Sequence, residues 1–288
     1  MQYTAAITTK QRSPMSAPLL SVITICKNEP FIETTCQSVV SQTYQDFEWL
    51  VIDGASTDNT LNTLSKYQYR INTLVSEPDS GVYNAMNKGI AKAKGKYLLF
   101  LNGGDMLYAP DTLKNVMPFL ESGKADIFYG DSYRLFEEEE KCFIKTYPEK
   151  LVKNFFLDNT LAHQSSFIKR EMFARFGLYR EDFKIVSDKE KWLCFMENGA
   201  KFTHLPFVCS YFRMNGISRL PTELLKQEKI RMLEQYFDKT MLRTSDLPYL
   251  KALFDSHHRS LNKTQSSNSS SLRAKARSSD LHNNNNAH

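Results

Sequence analysis

Asp53, Asp79 and Asp105 each follow an apolar segment that is typical of a buried strand. Because the carboxyl ends of parallel strands meet at one edge of a sheet, we expect these side chains to enter one crevice. Carboxylates gathered there repel one another unless positive charge lies between them, and a divalent metal bridging phosphate oxygens supplies it. One such aspartate is more often a turn former, so the prediction of a nucleoside diphosphate with its metal depends on all three.

The segment Asn102-Gly103-Gly104-Asp105 is the sharpest of these strand ends, because it follows five apolar or aromatic residues, 97–101. Two glycines let the backbone turn tightly and approach a bulky ligand, and Asp105 offers an oxygen ligand to a hard divalent cation. Read alone, the segment is more often an ordinary turn than a functional site.

The elements that would position these carboxylates alternate between strand and helix. The expected strands are 19–26, 49–53, 71–75 and 97–101. Asn28 is expected to cap the first helix, and Ser56, Thr57 or Asp58 the second; the third helix begins at Val82. This order predicts parallel strands with right-handed crossovers, hence an α/β fold with a doubly wound, mostly parallel sheet flanked by helices. No Gly-x-Gly-x-x-Gly occurs in the turns, which disfavours a standard dinucleotide site.

The second half is less regular. We expect a strand at 125–131 closing on Asp131, an exposed hairpin tip at 137–140 and a late strand at 202–212. Residues 151–200 have a mainly helical pattern, with a loop at 178–186 before a helix near Asp188. A flexible loop is expected at 216–219.

The ends of the chain carry its basic charge. Residues 1–18 contribute +2 and residues 256–288 contribute +4, which leaves about −1 of the net +5 for the middle and disfavours a nucleic-acid partner. We predict a flexible leader at 1–18 and a disordered tail at 259–288. Residues 221–238 form a basic amphipathic helix, which either packs on its own domain or contacts an anionic membrane peripherally.

The five cysteines are scattered and never spaced as Cys-x-x-Cys, so they favour reduced thiols over disulfides or a zinc site. No apolar run approaches the roughly 20 residues that span a bilayer. We therefore predict a cytoplasmic protein, either free or resting on the inner face of the membrane.

Three segments, 21–29, 51–60 and 79–89, closely resemble family 2 glycosyltransferases of the GT-A fold in sequence, order and spacing. The resemblance covers residues 19 to about 220, and the bacterial polysaccharide and colanic-acid-type branch is the most similar. It implies a nucleotide-sugar-binding half at 19–106, an acceptor-binding and catalytic half at 107–220, and C-terminal helices at 221–258. The implied reaction is inverting transfer of a sugar from a nucleotide sugar to a carbohydrate or lipid-linked acceptor.

The resemblance also implies roles for single residues. Those expected around the nucleotide sugar are Thr24, Cys26 and Glu29 in the pocket, Asp53 at the base, Asp79, Gly81 and Lys88 beside ribose or diphosphate, and Asn102 and Gly103 at the Asp-x-Asp position. Asp105 would be the lone protein carboxylate on Mn²⁺ or Mg²⁺, because the first carboxylate of that motif is absent. The sugar nucleotide's phosphates would supply much of the remaining metal affinity.

Asp188 takes the position of the catalytic base, which deprotonates the acceptor hydroxyl. Its alternative role is to cap a helix beginning at Lys189; Glu190 is the second choice for the base and is otherwise expected to be a solvated helix residue. His163 resembles a residue that faces the acceptor side, with a role toward acceptor or phosphate weighed against a structural one. Arg213 and Arg219 are either diphosphate partners or surface residues.

Two rival functions are weighed against the transferase. A nucleotidyltransferase also combines a doubly wound sheet with carboxylates and a metal, but it needs a glycine-rich basic loop after the first strand, and residues 26–30 supply none. The other is a sugar-nucleotide-binding protein without transfer activity, which the incomplete metal motif favours.

Overall fold

The computed structural model describes residues 17–136, 141–213, 222–245, 247–248 and 250–254. These residues form two compact units. One unit comprises the described residues up to 152 together with 161–213, and the other comprises 153–160 with the described residues from 222 onward. The predicted hairpin tip, the loop at 216–219, the tail and nearly all of the leader lie outside the described residues.

The first unit is built on one sheet. Its strands are β1 (Leu20–Cys26), β2 (Glu48–Asp53), β3 (Thr73–Ser76), β4 (Tyr97–Phe100), β5 (Met106–Leu107), β6 (Ile127–Phe136), β7 (Lys141–Lys145), β8 (Ser166–Lys169) and β9 (Phe202–Arg213). Their order is β3-β2-β1-β4-β8-β6-β9-β5, with β7 paired to β6. The half from β3 to β4 is parallel, and β8 runs antiparallel between β4 and β6.

Helices cover both faces of this sheet. They are α1 (Ile32–Val40), α2 (Thr60–Ser65), α3 (Val82–Lys92), α4 (Thr112–Ser122), α5 (Arg170–Phe176) and α6 (Ser187–Glu197). Apolar residues of α1 and α4 share a core cluster with Val22, Val51 and Leu99, whereas α3 packs on the opposite face through Gly89. Every residue of β1 is buried as a result, which explains its nearly continuous apolar sequence.

The expected strand at 125–131 is wrong at its carboxyl end, because β6 continues past Asp131 to Phe136. The Asp131 carboxylate stays inside the sheet since it accepts hydrogen bonds from the Tyr147 backbone amide at 3.0 Å and from His204 at 2.9 Å. Asp131 is therefore a structural carboxylate rather than a strand-end ligand. The third strand covers Thr73–Ser76 instead of 71–75.

The mainly helical expectation for 151–200 is also wrong in part, because the segment contains β8. Only short 3₁₀ turns, Lys153–Leu157 and His163–Ser165, precede this strand. Phe167 and Ile168 are buried in the middle of the sheet; a four-residue strand offers too little alternation to be recognised in a sequence. The loop before α6 has the predicted position.

The expected cap at Asn28 is not present. Helix α1 begins at Ile32 and has no side-chain cap. Asn28 instead joins two strand-to-helix loops, because its Oδ1 accepts from the Thr57 amide at 2.8 Å while its own amide donates to Ser56 Oγ at 2.7 Å. The second predicted cap is also not present, because α2 begins at Thr60 after Asn59 and has no side-chain cap; Asp58 accepts from the Thr60 amide at 3.0 Å in the turn before it.

The second unit contains α7 (Glu223–Tyr236) and α8 (Lys239–Thr244). Thr222 caps α7 by accepting from the Leu225 amide at 3.1 Å. Leu225, Met232 and Leu233 are buried, so most of the apolar face predicted at 221–238 packs on protein. Peripheral membrane contact stays a prediction. Within the described part of the chain, no helix has both the length and the apolar character needed to cross a bilayer.

We predict that Gly89→Ala destabilises the protein by about 1–3 kcal/mol, because a Cβ at this position would lie 2.5 Å from Ile23 Cγ2. Helix propensity alone would have the opposite sign and stabilise the protein by about 1 kcal/mol. Thermal unfolding distinguishes the two effects. The loss should shrink in an Ile23→Ala background, which removes the clashing methyl group, and a raised melting temperature in the otherwise native chain would contradict close packing of α3.

Candidate active site

The Asp53 side chain ends β2 and is fully buried. Its carboxylate accepts hydrogen bonds from Ser76 Oγ at 2.6 Å, from the Ser56 amide at 3.0 Å and from the Ser56 hydroxyl. The Cys26 thiol also points at it, with Sγ 3.8 Å from Oδ1. Burial, followed by the charge of Asp53, raises the pKa of Cys26 and keeps this thiol protonated. The predicted contact of Asp53 with a base requires that some of these internal bonds be exchanged.

Asp79 lies beside the turn that follows Asp53. Its carboxylate covers Gly54, where a Cβ would collide with Oδ2, and its other oxygen accepts from the Gly81 amide at 3.0 Å. Gly81 has a φ of 137°, a conformation that favours glycine. Lys88 forms an ion pair with Glu77 at 3.0 Å and donates to the Pro78 carbonyl at 2.7 Å, so it braces the same turn.

The turn after β4 packs closely on the loop after β1. A Cβ on Gly103 would lie 2.6 Å from Glu29 Cγ and 3.2 Å from Cys26 Cβ. The Glu29 backbone amide donates a hydrogen bond to Thr60 Oγ1 at 2.9 Å, and the Glu29 carboxylate accepts one from the Phe31 amide at 3.0 Å. Cys26, Glu29 and Gly103 are thus brought together as predicted, and the glycine is needed because Glu29 occupies the space of a side chain.

Asp105 is the least compensated carboxylate of this edge. It is 5% exposed, and its burial raises the pKa to about 7, although the charges of His163 and Arg213 and a hydrogen bond to the Arg213 backbone oppose the shift. Glu29 adds a further repulsion. A cation or a cationic ligand placed here would stabilise the ionised form of this carboxylate in place of the water lost on burial.

Each carboxylate oxygen of Asp188 has a polar side chain beside it. Tyr83 Oη lies 3.1 Å from Oδ1, and His163 Nδ1 lies 3.6 Å from Oδ2. Helix α6 begins at Ser187 and has no side-chain cap, so the capping role expected of Asp188 as an alternative is not observed. His163 faces Asp188 with one ring nitrogen, and its charge acts on Asp105, which places the predicted base and the predicted metal ligand around one histidine.

Sequence reasoning missed the polar face of α3. Asn84 and Asn87 donate to Glu181 at 3.0 and 3.1 Å, and Asn87 also bonds both backbone groups of Tyr179. Two asparagines inside a helix are unfavourable by propensity. Their presence in 82–92 was the available signal that this helix binds another segment.

Two predicted residues, Thr24 and Glu190, take other positions, whereas Arg213 lies near Asp105. Thr24 is fully buried in the core and accepts from the Trp49 indole at 3.1 Å, away from the strand-end edge. Glu190, expected to be solvated, is 4% exposed and lies 3.8 Å from Lys191. Arg213 places its guanidinium 3.7 Å from the centre of the Phe31 ring. Arg219 lies outside the described residues.

The turn after β4 fits a divalent cation. Asn102 Oδ1 is buried and has no hydrogen-bond partner among the residues that the structure describes, and Asp105 follows in the same turn, its amide bonded to the Asn102 carbonyl at 3.0 Å. Both are the hard oxygen ligands that Mg²⁺ and Mn²⁺ accept. The described residues contain no cluster of three or more His, Cys, Asp and Glu suited to a metal, so phosphate oxygens would have to complete the coordination.

A family model described as glycosyl transferase family 2 matches residues 21–215, a range that includes this whole edge of the sheet. The chain belongs to glycosyl transferase family 2. It is 31% identical over 228 residues to the PGL/p-HBAD biosynthesis glycosyltransferase of Mycobacterium bovis, with 74% of this chain and 85% of the relative covered.

Solved structures share the fold. S. aureus TarS 1–349 in complex with UDP-GlcNAc gives a TM-score of 0.62 at 17% identity, over 79% of this chain and 67% of that one; the chain spans 42% of a longer TarS structure. The mannosyltransferase PcManGT from Pyrobaculum calidifontis, in complex with GDP-Man and Mn²⁺, gives 0.55 at 20% identity, over 82% and 68%.

These similarities confirm the predicted GT-A fold and the predicted family 2, nucleotide-sugar-dependent glycosyltransferase. They do not identify the branch of the family, so membership of the colanic-acid-type branch stays a prediction. The residue roles likewise stay predictions.

We predict that Asp105→Asn stabilises the metal-free protein at pH 8. Below about pH 4 the carboxyl is protonated in both folded and unfolded chains, so the substitution has no effect there. As pH rises toward the folded pKa of about 7, the buried charge lowers the free energy of unfolding of the native chain increasingly, by up to about 4 kcal/mol. Melting temperatures in chelator from pH 4 to 8 should therefore diverge.

Asp126→Asn is the control of opposite sign. Burial opposes ionisation of Asp126, but the Lys201 amide and Lys169, both at 2.9 Å, outweigh it and lower the pKa. This substitution should destabilise the protein at neutral pH and lose its effect as the pH falls through the range in which Asp126 is protonated. Equal melting temperatures of Asp105→Asn and native protein at pH 8 would contradict the cost of burying Asp105.

Proposed function

We propose that this glycosyltransferase moves a sugar, with inversion, from a nucleotide-diphosphate sugar to a hydroxyl of a carbohydrate or lipid-linked acceptor. The observation that carries the proposal is the Asp188 carboxylate, which is partly exposed, accepts a hydrogen bond from Tyr83 at 3.1 Å and lies 3.6 Å from His163 Nδ1. A carboxylate held in this way has the geometry of a general base rather than that of a solvated surface residue.

In the proposed reaction, Asp188 takes the proton of the acceptor hydroxyl while the hydroxyl oxygen bonds to the anomeric carbon. The bond from that carbon to the diphosphate oxygen breaks, and its electron pair leaves with the nucleoside diphosphate. Attack and departure on opposite faces invert the anomeric configuration. His163, 3.6 Å from Asp188, orients the carboxylate and contributes positive charge when it is protonated.

Asp105 and Asn102 are the residues proposed to hold Mn²⁺ or Mg²⁺, which when bound would stabilise the charge of the departing diphosphate. Two observations support this assignment. Asn102 Oδ1 is buried without a hydrogen-bond partner among the described residues, and burial raises the pKa of Asp105. The PcManGT complex with GDP-Man and Mn²⁺ supports it by analogy of fold.

The donor loops follow β1, β2 and β3. Cys26, Glu29, Asp53, Asp79 and Gly81 lie along this edge and are proposed to form the nucleotide side. TarS binds UDP-GlcNAc and PcManGT binds GDP-Man on the same fold, so both bases are candidates. The mycobacterial relative acts in PGL/p-HBAD biosynthesis, which supports a glycan or glycolipid acceptor.

We predict that one of UDP-GlcNAc, GDP-mannose and related nucleotide sugars stabilises the protein more in Mn²⁺ than in chelator. A ligand at 100 times its Kd raises the unfolding free energy by about 2.7 kcal/mol. Thermal unfolding detects this, and release of UDP or GDP detects turnover. Stabilisation of equal size in chelator would contradict the metal assignment, and the absence of any donor that is bound or turned over would contradict the transferase itself.

We predict that Asp188→Asn lowers kcat by about 10²- to 10⁴-fold while UDP or GDP still binds. The matched control is Asp182→Asn, since Asp182 belongs to the same loop but is exposed and paired with Arg180 at 2.6 Å; it should keep native turnover. Donor turnover by Asp188→Asn at the native rate would exclude Asp188 as the base.

A further inference from the structure

We propose that the polar face of α3 positions the catalytic base, with the Tyr83 hydroxyl as the positioning group for Asp188. The proposal rests on the proposed function, because it takes Asp188 as the base. It assigns to the helix that follows the Asp79–Gly81 turn a second task, which is to fix where the acceptor's proton is removed.

Tyr83 reaches both ends of the turn into α6. Its Oη lies 2.7 Å from the Ile185 carbonyl and 3.1 Å from Asp188 Oδ1. The side chain is 6% exposed, and burial, then the charge of Asp188, raises the pKa of Tyr83. The group is therefore a neutral phenol, which can donate one proton and also accept.

The Tyr83 hydroxyl has one proton and two neighbouring acceptors, the Ile185 carbonyl and Asp188. It can therefore form a hydrogen bond with Asp188 both when Asp188 is ionised and when Asp188 is protonated. When Asp188 is ionised, the Tyr83 proton is shared between the carbonyl and the carboxylate. Once Asp188 has taken the acceptor's proton, its carboxyl O–H can donate a hydrogen bond to Tyr83 Oη, while the Tyr83 O–H donates to the Ile185 carbonyl. The carboxyl group keeps the same neighbour before and after the transfer, and no further reactant is needed.

The segment leading to Asp188 is held on the same helix. The Asn87 side chain pairs with the Tyr179 backbone, donating to the carbonyl at 2.9 Å and accepting from the amide at 3.0 Å. Glu181 accepts from Ser80 at 3.1 Å as well as from Asn84 and Asn87. Residues 179–185 are thus fastened along α3 at both ends.

The loop is also closed onto α6, because the Arg180 amide donates to Ser187 Oγ at 2.7 Å. The Tyr83 ring packs on the Tyr179 ring, with centroids 5.7 Å apart. Tyr83→Phe keeps this ring contact and removes only the hydroxyl, so it separates the positioning role from packing.

The test compares Tyr83→Phe with Tyr97→Phe. Tyr97 is fully buried, and its hydroxyl donates to the Ala125 carbonyl at 3.1 Å, so the control loses a comparable hydrogen bond that does not involve Asp188. With the donor found by the screen of nucleotide sugars, Tyr83→Phe should lower kcat by about 10- to 100-fold and leave the donor KM within about twofold. Tyr97→Phe should change neither.

An equal loss of kcat in the two variants would assign the effect to general destabilisation and overturn the proposal. Native kcat in Tyr83→Phe, with Asp188→Asn inactive, would overturn the positioning role and leave the proposed function standing. Native turnover by Asp188→Asn would remove the base and the positioning role together.

Amide hydrogen exchange supplies a readout that needs no substrate. Exchange of residues 179–190 should be faster in Tyr83→Phe than in the native chain and unchanged in Tyr97→Phe. Unchanged exchange in Tyr83→Phe would overturn the proposal even if no donor were found.

Discussion

The buried carboxylates of the sheet differ in how far their surroundings offset the free-energy cost of removing them from water. Asp53 offsets this cost with hydrogen bonds from Ser56 and Ser76, and Asp131 does so within the sheet through His204 and the Tyr147 amide. Asp105 is equally buried, yet its pKa is raised to about 7, which shows that its surroundings do not replace the lost water. A folded protein tolerates such a group where a ligand completes its environment. This cost is the physical reason for proposing that the metal and the diphosphate bind at Asp105.

The sheet converts this local constraint into a site with two sides. β1 to β4 bring the donor-side turns to one edge, and β8, paired between β4 and β6, carries His163 just before its first residue. His163 consequently lies near both carboxylates to which the proposed mechanism gives opposite tasks, Asp105 toward the leaving group and Asp188 toward the acceptor.

The parallel half of the fold was predictable because apolar strands there alternate regularly with helices and end in turn residues, so that even the four-residue strands β3 and β4 are recognisable from their place in this order. β8 was not, since four residues between short turns carry little pattern. The position of Asp131 inside a longer strand was not predictable because the partners of its carboxylate, Tyr147 and His204, lie far along the chain. Likewise, the motif at 79–89 predicts a binding turn, but only the structure reveals that Tyr83 and its asparagine neighbours contact the loop before Asp188 rather than solvent.

Helix α3 gives a physical reason why the motif at 79–89 is one uninterrupted stretch of sequence. Its amino-terminal turn holds Asp79 against Gly54, and its first two turns hold the loop that ends at Asp188. Glycosyl transfer demands that the anomeric carbon and the base keep a fixed separation, since an error of about 1 Å can cost a factor of 100 in rate. A single helix, stiffened by backbone hydrogen bonds and pressed on the sheet at Gly89, sets that separation more reliably than two independent loops could. In the proposed mechanism, the turn at Asp79 and the residues that hold the Asp188 loop are therefore adjacent in sequence, because one short helix carries both.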